Sequence, residues 1–143
     1  MKNDNISIVY TARDNNFNII RMNMHLKKKV KKRSFTYIGE TICIVRRLQQ
    51  HNEGYGSSST NPEHLRPYGV MGYICGSQLH SSELRFYLER RWKINRDNLI
   101  SRNNKDPRSW ARDAGQKAIE DAISSNNFII SEHDLKLVLL FKV

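Results

Sequence analysis

β-branched and aromatic positions open the chain. Ile6-Ser7-Ile8-Val9-Tyr10 predicts a strand, Asp14-Asn15-Asn16 a turn, and Phe17-Asn18-Ile19-Ile20 a returning strand, so a hairpin is expected near the N-terminus. Another strand is expected over 35–39. Thr41 can then cap a helix running to about Asn52 and closed by Gly54, with Ile44, Val45 and Leu48 as its apolar face. The stretch from Gly54 to Pro67 is rich in Gly, Ser, Asn and Pro and reads as a loop. A strand over 68–75 follows, despite Gly69 and Gly72. Ser81 or Ser82 then caps a helix ending near Arg96, with Leu84, Tyr87, Leu88, Arg91 and Trp92 along one stripe. A third helix over 109–124 turns Ala111, Ala114, Ala118, Ile119, Ala122 and Ile123 inward, and Gly115 permits close packing. The run 135–141 predicts a last strand. Strands interspersed with helices make a mixed α/β domain of the α+β kind, with no internal repeat.

At 143 residues, 38% hydrophobic and 9% aromatic, the chain can fold as one domain over 1–143 with a real core. Charge adds a constraint that pattern does not: 24 Lys plus Arg against 14 Asp plus Glu give +10. Such a surface suits an anionic partner, either nucleic acid or an acidic membrane surface. Six cations crowd into Lys27, Lys28, Lys29, Lys31, Lys32 and Arg33, a run that cannot be core and suits phosphate contacts. Cys43 and Cys75 form no CxxC pair, which argues against a zinc ribbon or a disulfide framework. Neither a signal-peptide pattern nor a membrane span is recognised, so an intracellular, soluble protein is expected. Abundant Asn, Ile and Lys suggest an AT-rich plasmid, phage, virus or organelle genome.

The informative block is Tyr37-Ile38-Gly39, then Arg47-Leu48, His51-Asn52 and a Gly/Ser loop ending at Thr60. Arg47 and His51 lie four apart and share a helical face, expected to stay out of the core, while Tyr37 ends the preceding strand close to the guanidinium. Phosphodiester hydrolysis needs such a set. It uses a group to position or activate water, a cation for the charge of the pentacoordinate transition state, and a metal held by a carboxylate.

These residues, with Leu88-Glu89-Arg90-Arg91-Trp92-Lys93 downstream, resemble the GIY-YIG nuclease family over about 6–95, leaving about 96–143 as a C-terminal extension. Arg66-Pro67-Tyr68 and Cys75-Gly76 resemble most the structure-specific branched-DNA endonucleases, whose cysteine-rich zinc module this chain lacks. The resemblance implies a small three-stranded antiparallel sheet flanked by helices, here with an added helix and strand. It further implies a metal-dependent DNA endonuclease with Tyr10, Tyr37, Arg47, His51 and Glu89 in its site. Tyr10 would orient or deprotonate water, Arg47 would stabilise the phosphorane, and His51 would serve as base or proton relay. Glu89 would hold one divalent cation, Mg²⁺ or Mn²⁺, with no small-molecule cofactor and no membrane partner. A tyrosine base of this kind requires neighbouring cations to favour the phenolate. The first motif carries Ile8 where the family has Gly, and a basic insertion lengthens the stretch between the tyrosines. That difference motivates an alternative, a catalytically weakened domain that binds nucleic acid.

The same residues also have plain readings. Glu89 and Lys93 have the spacing of a surface ion pair, and His51 suits a helix C-terminus. Trp92, Trp110 and Phe86 are expected in the core. Glu83 is a second candidate metal ligand. Asn95, Asn98, Asn103 and Asn104 are equivalent candidates for an auxiliary asparagine.

Overall fold

The computed structural model describes residues 7–13, 36–53, 69–102, 106–131 and 133–140. Strands β1 (Ile8–Arg13), β2 (Thr36–Thr41), β3 (Gly69–Cys75) and β4 (Lys136–Leu139) form one antiparallel sheet in the order β2-β1-β3-β4. Helices α1 (Ile44–Glu53), α2 (Ser82–Ser101) and α3 (Pro107–Ser124) accompany it, with a 3₁₀ turn over Ser77–His80. The fold is α+β, and the added C-terminal helix and strand are both present. The expected return strand at Phe17–Ile20, the loop with Thr60, and the basic run from Lys27 to Arg33 lie outside the described residues. The described partners of β1 are β2 and β3.

Alternation along each strand separates two faces. On one, Val9, Ile38 and Ile74 pack with Leu84, Leu88 and Trp92 of α2 and with Ala114, Ala118, Ile119 and Ala122 of α3. Gly115 brings the helices together: a Cβ there would stand 3.0 Å from the Trp92 ring and 3.2 Å from Leu137. On the other face, Ile8, Tyr10 and Ala12 pack with Tyr37, Ile44, Val70, Tyr73 and Cys75. A register shift opposite Thr11 and Ala12 leaves Met71 unpaired with β1 and keeps Val70 on the same face as Tyr73.

Helix ends follow their side chains. Asp106 accepts the Arg108 N–H at 3.0 Å and Pro107 follows it, so α3 begins two residues earlier than its apolar pattern suggests. Asp134 accepts the N–H and hydroxyl of Ser77 (3.1 and 2.8 Å) and the N–H of Gln78 (3.2 Å). The Ser77 bonds foremost hold this carboxyl below the usual range. The extension is thereby latched to the turn before α2. It also supplies core residues, so the first strands and the extension form one packed unit.

Three apolar residues expected inside are outside. Val45 is 76% exposed, Phe86 56% and Ile123 54%. On α1 the inward stripe is instead Ile44, Arg47, Leu48 and His51, the i, i+3, i+4, i+7 set, with His51 buried. Arg47 and His51 therefore point toward the sheet, contrary to the expectation that they stay clear of the interior. Helix α2 continues past Arg96 to Ser101.

Candidate active site

Register decides which side chains meet. Tyr10 lies opposite Gly39 on β2 and Tyr73 on β3, and Tyr37 lies opposite Ala12. The phenol of Tyr10 crosses over Gly39: a Cβ there would stand 2.8 Å from Tyr10 Oη and 2.8 Å from Tyr37 Cε1. Both tyrosines thus occupy space that any larger residue at 39 would take. Ring centroids of Tyr10 and Tyr37 are 6.1 Å apart.

Helix α1 lays His51 and Arg47 over these rings. His51 Nε2 is 2.7 Å from Tyr10 Oη, and its ring meets that of Tyr37 edge-on at 4.7 Å. The Arg47 guanidinium lies close enough to both phenols to interact with them electrostatically and donates to Gln50 Oε1 at 3.2 Å. Burial opposes its charge, but the two tyrosines outweigh that and raise its pKa. Burial, followed by the Arg47 charge, lowers His51 to about 4, so its imidazole is neutral at pH 7. Burial and then Tyr37 push the Tyr10 phenol well above its ordinary value, and Arg47 only partly offsets them. The phenolate character that a tyrosine base requires is therefore disfavoured at Tyr10. Tyr10 and His51 form a neutral hydrogen-bonded floor with almost no exposed surface, while Tyr37 and Arg47 are half-buried and reach the rim.

Glu89 lies midway along α2. It is half-buried, its charge contributes to raising Tyr10, and Lys93 Nζ lies 2.7 Å from its Oε1. Among the described residues no group of three or more His, Cys, Asp or Glu could hold a metal ion. A single carboxylate does fit a hard cation that takes its remaining ligands from phosphate oxygens and water. One turn earlier on α2, Arg85 donates to Glu40 Oε2 at 2.7 Å and to the carbonyls of Leu79 (2.7 Å) and His80 (3.0 Å). This largely buried bridge joins the residue after Gly39 to the helix that carries Glu89.

Of the expected site residues, Tyr10, Tyr37, Arg47 and His51 come together, and Glu89 stands within their electrostatic reach. Lys27, Lys28, Lys29, Lys31, Lys32 and Arg33 lie outside the described residues. Glu83 is exposed. Asn95 is buried between α2 and α3, donating to Asp121 Oδ2 at 3.1 Å, and Asn98 is exposed. Asn103 and Asn104 lie outside the described residues. His80 is exposed and bonds the Ser77 carbonyl, and His133 occupies a left-handed turn. Sequence reasoning passed over Tyr73, because its place beside Tyr10 comes only from strand register. It also passed over Arg85 and Glu40, which no local spacing links.

The family model for the GIY-YIG catalytic domain matches residues 7–103. No curated protein and no solved structure gives a significant match. With the family model spanning both tyrosines, α1 and all of α2, the chain belongs to the GIY-YIG catalytic domain family, a nuclease superfamily.

Proposed function

We infer that the protein is a divalent-metal-dependent endonuclease that hydrolyses DNA phosphodiester bonds. The observation that carries this reading is the convergence of Tyr10, Tyr37, Arg47 and His51, from two strands and a helix, on one cluster built around the Tyr10–His51 hydrogen bond and the Tyr37–His51 ring contact. Arg47 meets the phosphate and offsets the charge that builds on the phosphorane. Tyr37, at the rim beside it, orients the attacking water. This differs from the expectation for Tyr10, whose burial separates it from bulk solvent. With its phenol protonated, Tyr10 can take the proton that the attacking water loses only as its own passes to His51 Nε2, which ends as the imidazolium. Negative charge on the phosphorane favours that imidazolium against the burial and the Arg47 charge that keep His51 neutral. Glu89 would hold the cation, Mg²⁺ or Mn²⁺, which when bound polarises the phosphate and stabilises the leaving oxygen.

Plasmid incubated with the full chain and Mg²⁺ or Mn²⁺ should be nicked or cut. Arg47→Ala and Glu89→Ala should each lower the rate about a hundred- to a thousandfold with unchanged circular dichroism and Tm. Wild-type rates in these variants would reject the assignment. The likeness of Arg66-Pro67-Tyr68 to the branched-DNA endonucleases favours structure-specific cutting, tested with flap, junction and duplex substrates. If the cations of Lys27 to Arg33 grip phosphates, affinity falls about a thousandfold from roughly 50 to 200 mM salt.

A second reading, a nucleic-acid-binding module with weakened catalysis, draws on Ile8 in place of the motif glycine and on the direction of the Tyr10 shift. DNA binding with no metal-dependent cutting on any of these substrates would select it. A membrane-surface role has weaker support in the sequence, where no amphipathic pattern accompanies the basic run.

A further inference from the structure

The outward surface of α2 carries a feature that hydrolysis does not use. Phe86 is 56% exposed, although a phenylalanine of this size would contribute more in the core. It lies three residues before Glu89, so the two share a helical edge. Arg90, four residues on, is exposed next to it, with its guanidinium carbon 5.8 Å over the Tyr87 ring. The Tyr87 ring is itself fixed, 5.3 Å from Phe128 and bonded through its hydroxyl to the Asp121 carbonyl at 3.1 Å. Arg90 has no carboxylate partner among the described residues, so a pre-positioned cation stands beside an exposed aromatic ring. Ile94, 38% exposed, continues the stripe.

A ring and a fixed cation side by side match the two parts of one nucleotide, the base and its phosphate. A base held in a duplex keeps its faces covered by its neighbours, whereas an unpaired base offers one to Phe86. We propose that Phe86 and Arg90 seat an unpaired nucleotide flanking the scissile phosphate, Phe86 stacking on the base and Arg90 contacting the phosphate. The proposal rests on the nuclease reading for the position of the scissile phosphate, and it names the substrate class as DNA with single-stranded character next to the cut.

The test compares a flap oligonucleotide carrying 2-aminopurine in its unpaired strand with a fully paired duplex of the same sequence. Binding to the full chain is measured in Ca²⁺, and cutting separately in Mg²⁺ or Mn²⁺. Wild type should quench the 2-aminopurine fluorescence and prefer the flap. Phe86→Ala should lose the quench and bind the flap about tenfold more weakly, with duplex affinity unchanged. Phe86→Trp should restore both, and Arg90→Ala should weaken flap binding with the quench reduced. Phe86 is exposed, so Tm should stay that of wild type. Equal quench and equal flap affinity in wild type and Phe86→Ala overturn the proposal while leaving the nuclease reading in place. Normal stacking without cutting overturns the nuclease reading and supports the nucleotide seat. Failure of wild type to bind either DNA overturns both.

Discussion

On one face of the sheet Val9, Ile38 and Ile74 meet Leu88, Trp92 and a row of alanines; on the other Tyr10 and Tyr37 meet Arg47 and His51. Both faces are largely closed to solvent, and the same three strands supply both. The first is held by hydrocarbon contact, which is non-directional and tolerates adjustment. The second closes over polar groups, so each must find a partner as it is buried. Tyr10 and His51 satisfy one another, Arg47 donates to Gln50, and its charge acts on both tyrosines. The difference teaches that the polar face is specified by geometry and the apolar face by volume. A single glycine, Gly39, can therefore matter as much as a large core side chain.

Substitutions can pull this contrast apart. Trp92→Ala should cost about 3–5 kcal/mol by chemical denaturation, the largest effect expected of a single core truncation. The molecules that remain folded should keep their cutting rate. A collapse of specific activity in that fraction would break the distinction between the faces. His51 sharpens it through pH. Its folded pKa of about 4 lies below the unfolded 6.5, so the unfolded chain binds the extra proton. Stability contributed by the neutral ring is complete above about 6.5 and declines as pH falls toward about 4, by roughly 3 kcal/mol in all. His51→Gln should flatten that part of the Tm–pH curve. Gly39→Ala should lower cutting about a hundredfold, because the added methyl displaces both phenols, with a smaller change in Tm. Asp106→Ala, remote from both tyrosines, should cost only about 1 kcal/mol through the lost cap and leave activity untouched.

The strands and helices were legible because β-branched runs and 3.6-residue spacing report local preference directly. The side each helix presents was less so. On α1, residue type points the apolar Val45 inward and the polar His51 outward, and the fold reverses both. Position on the helix outweighs residue type once a phenol is available to bond a neutral imidazole. Phe86 and Ile123 repeat the lesson, since their hydrophobicity says nothing about which side of the stripe they occupy. For the site, the spacing from Gly39 to Arg47 and His51 carried the family resemblance. The burial of Tyr10 could not be read there, because it depends on α1 folding back across β1. The Arg85 to Glu40 bridge, 45 residues apart in sequence, was equally invisible.

The strand order has a consequence for how the molecule comes into being. β1 is an inner strand although it comes first among the described strands, and the cluster around Val9 is completed by Leu135 and Leu137, the latter on β4, the last of them in sequence. A ribosome thus releases Val9 and Tyr10 well before the residues that cover them. β1, β2 and β3 supply both faces, but the apolar face is finished only by α3 and the residues around β4. The apolar face of a growing chain therefore stays uncovered until translation passes β4, and exposed apolar strands of that kind are what partly folded chains associate through.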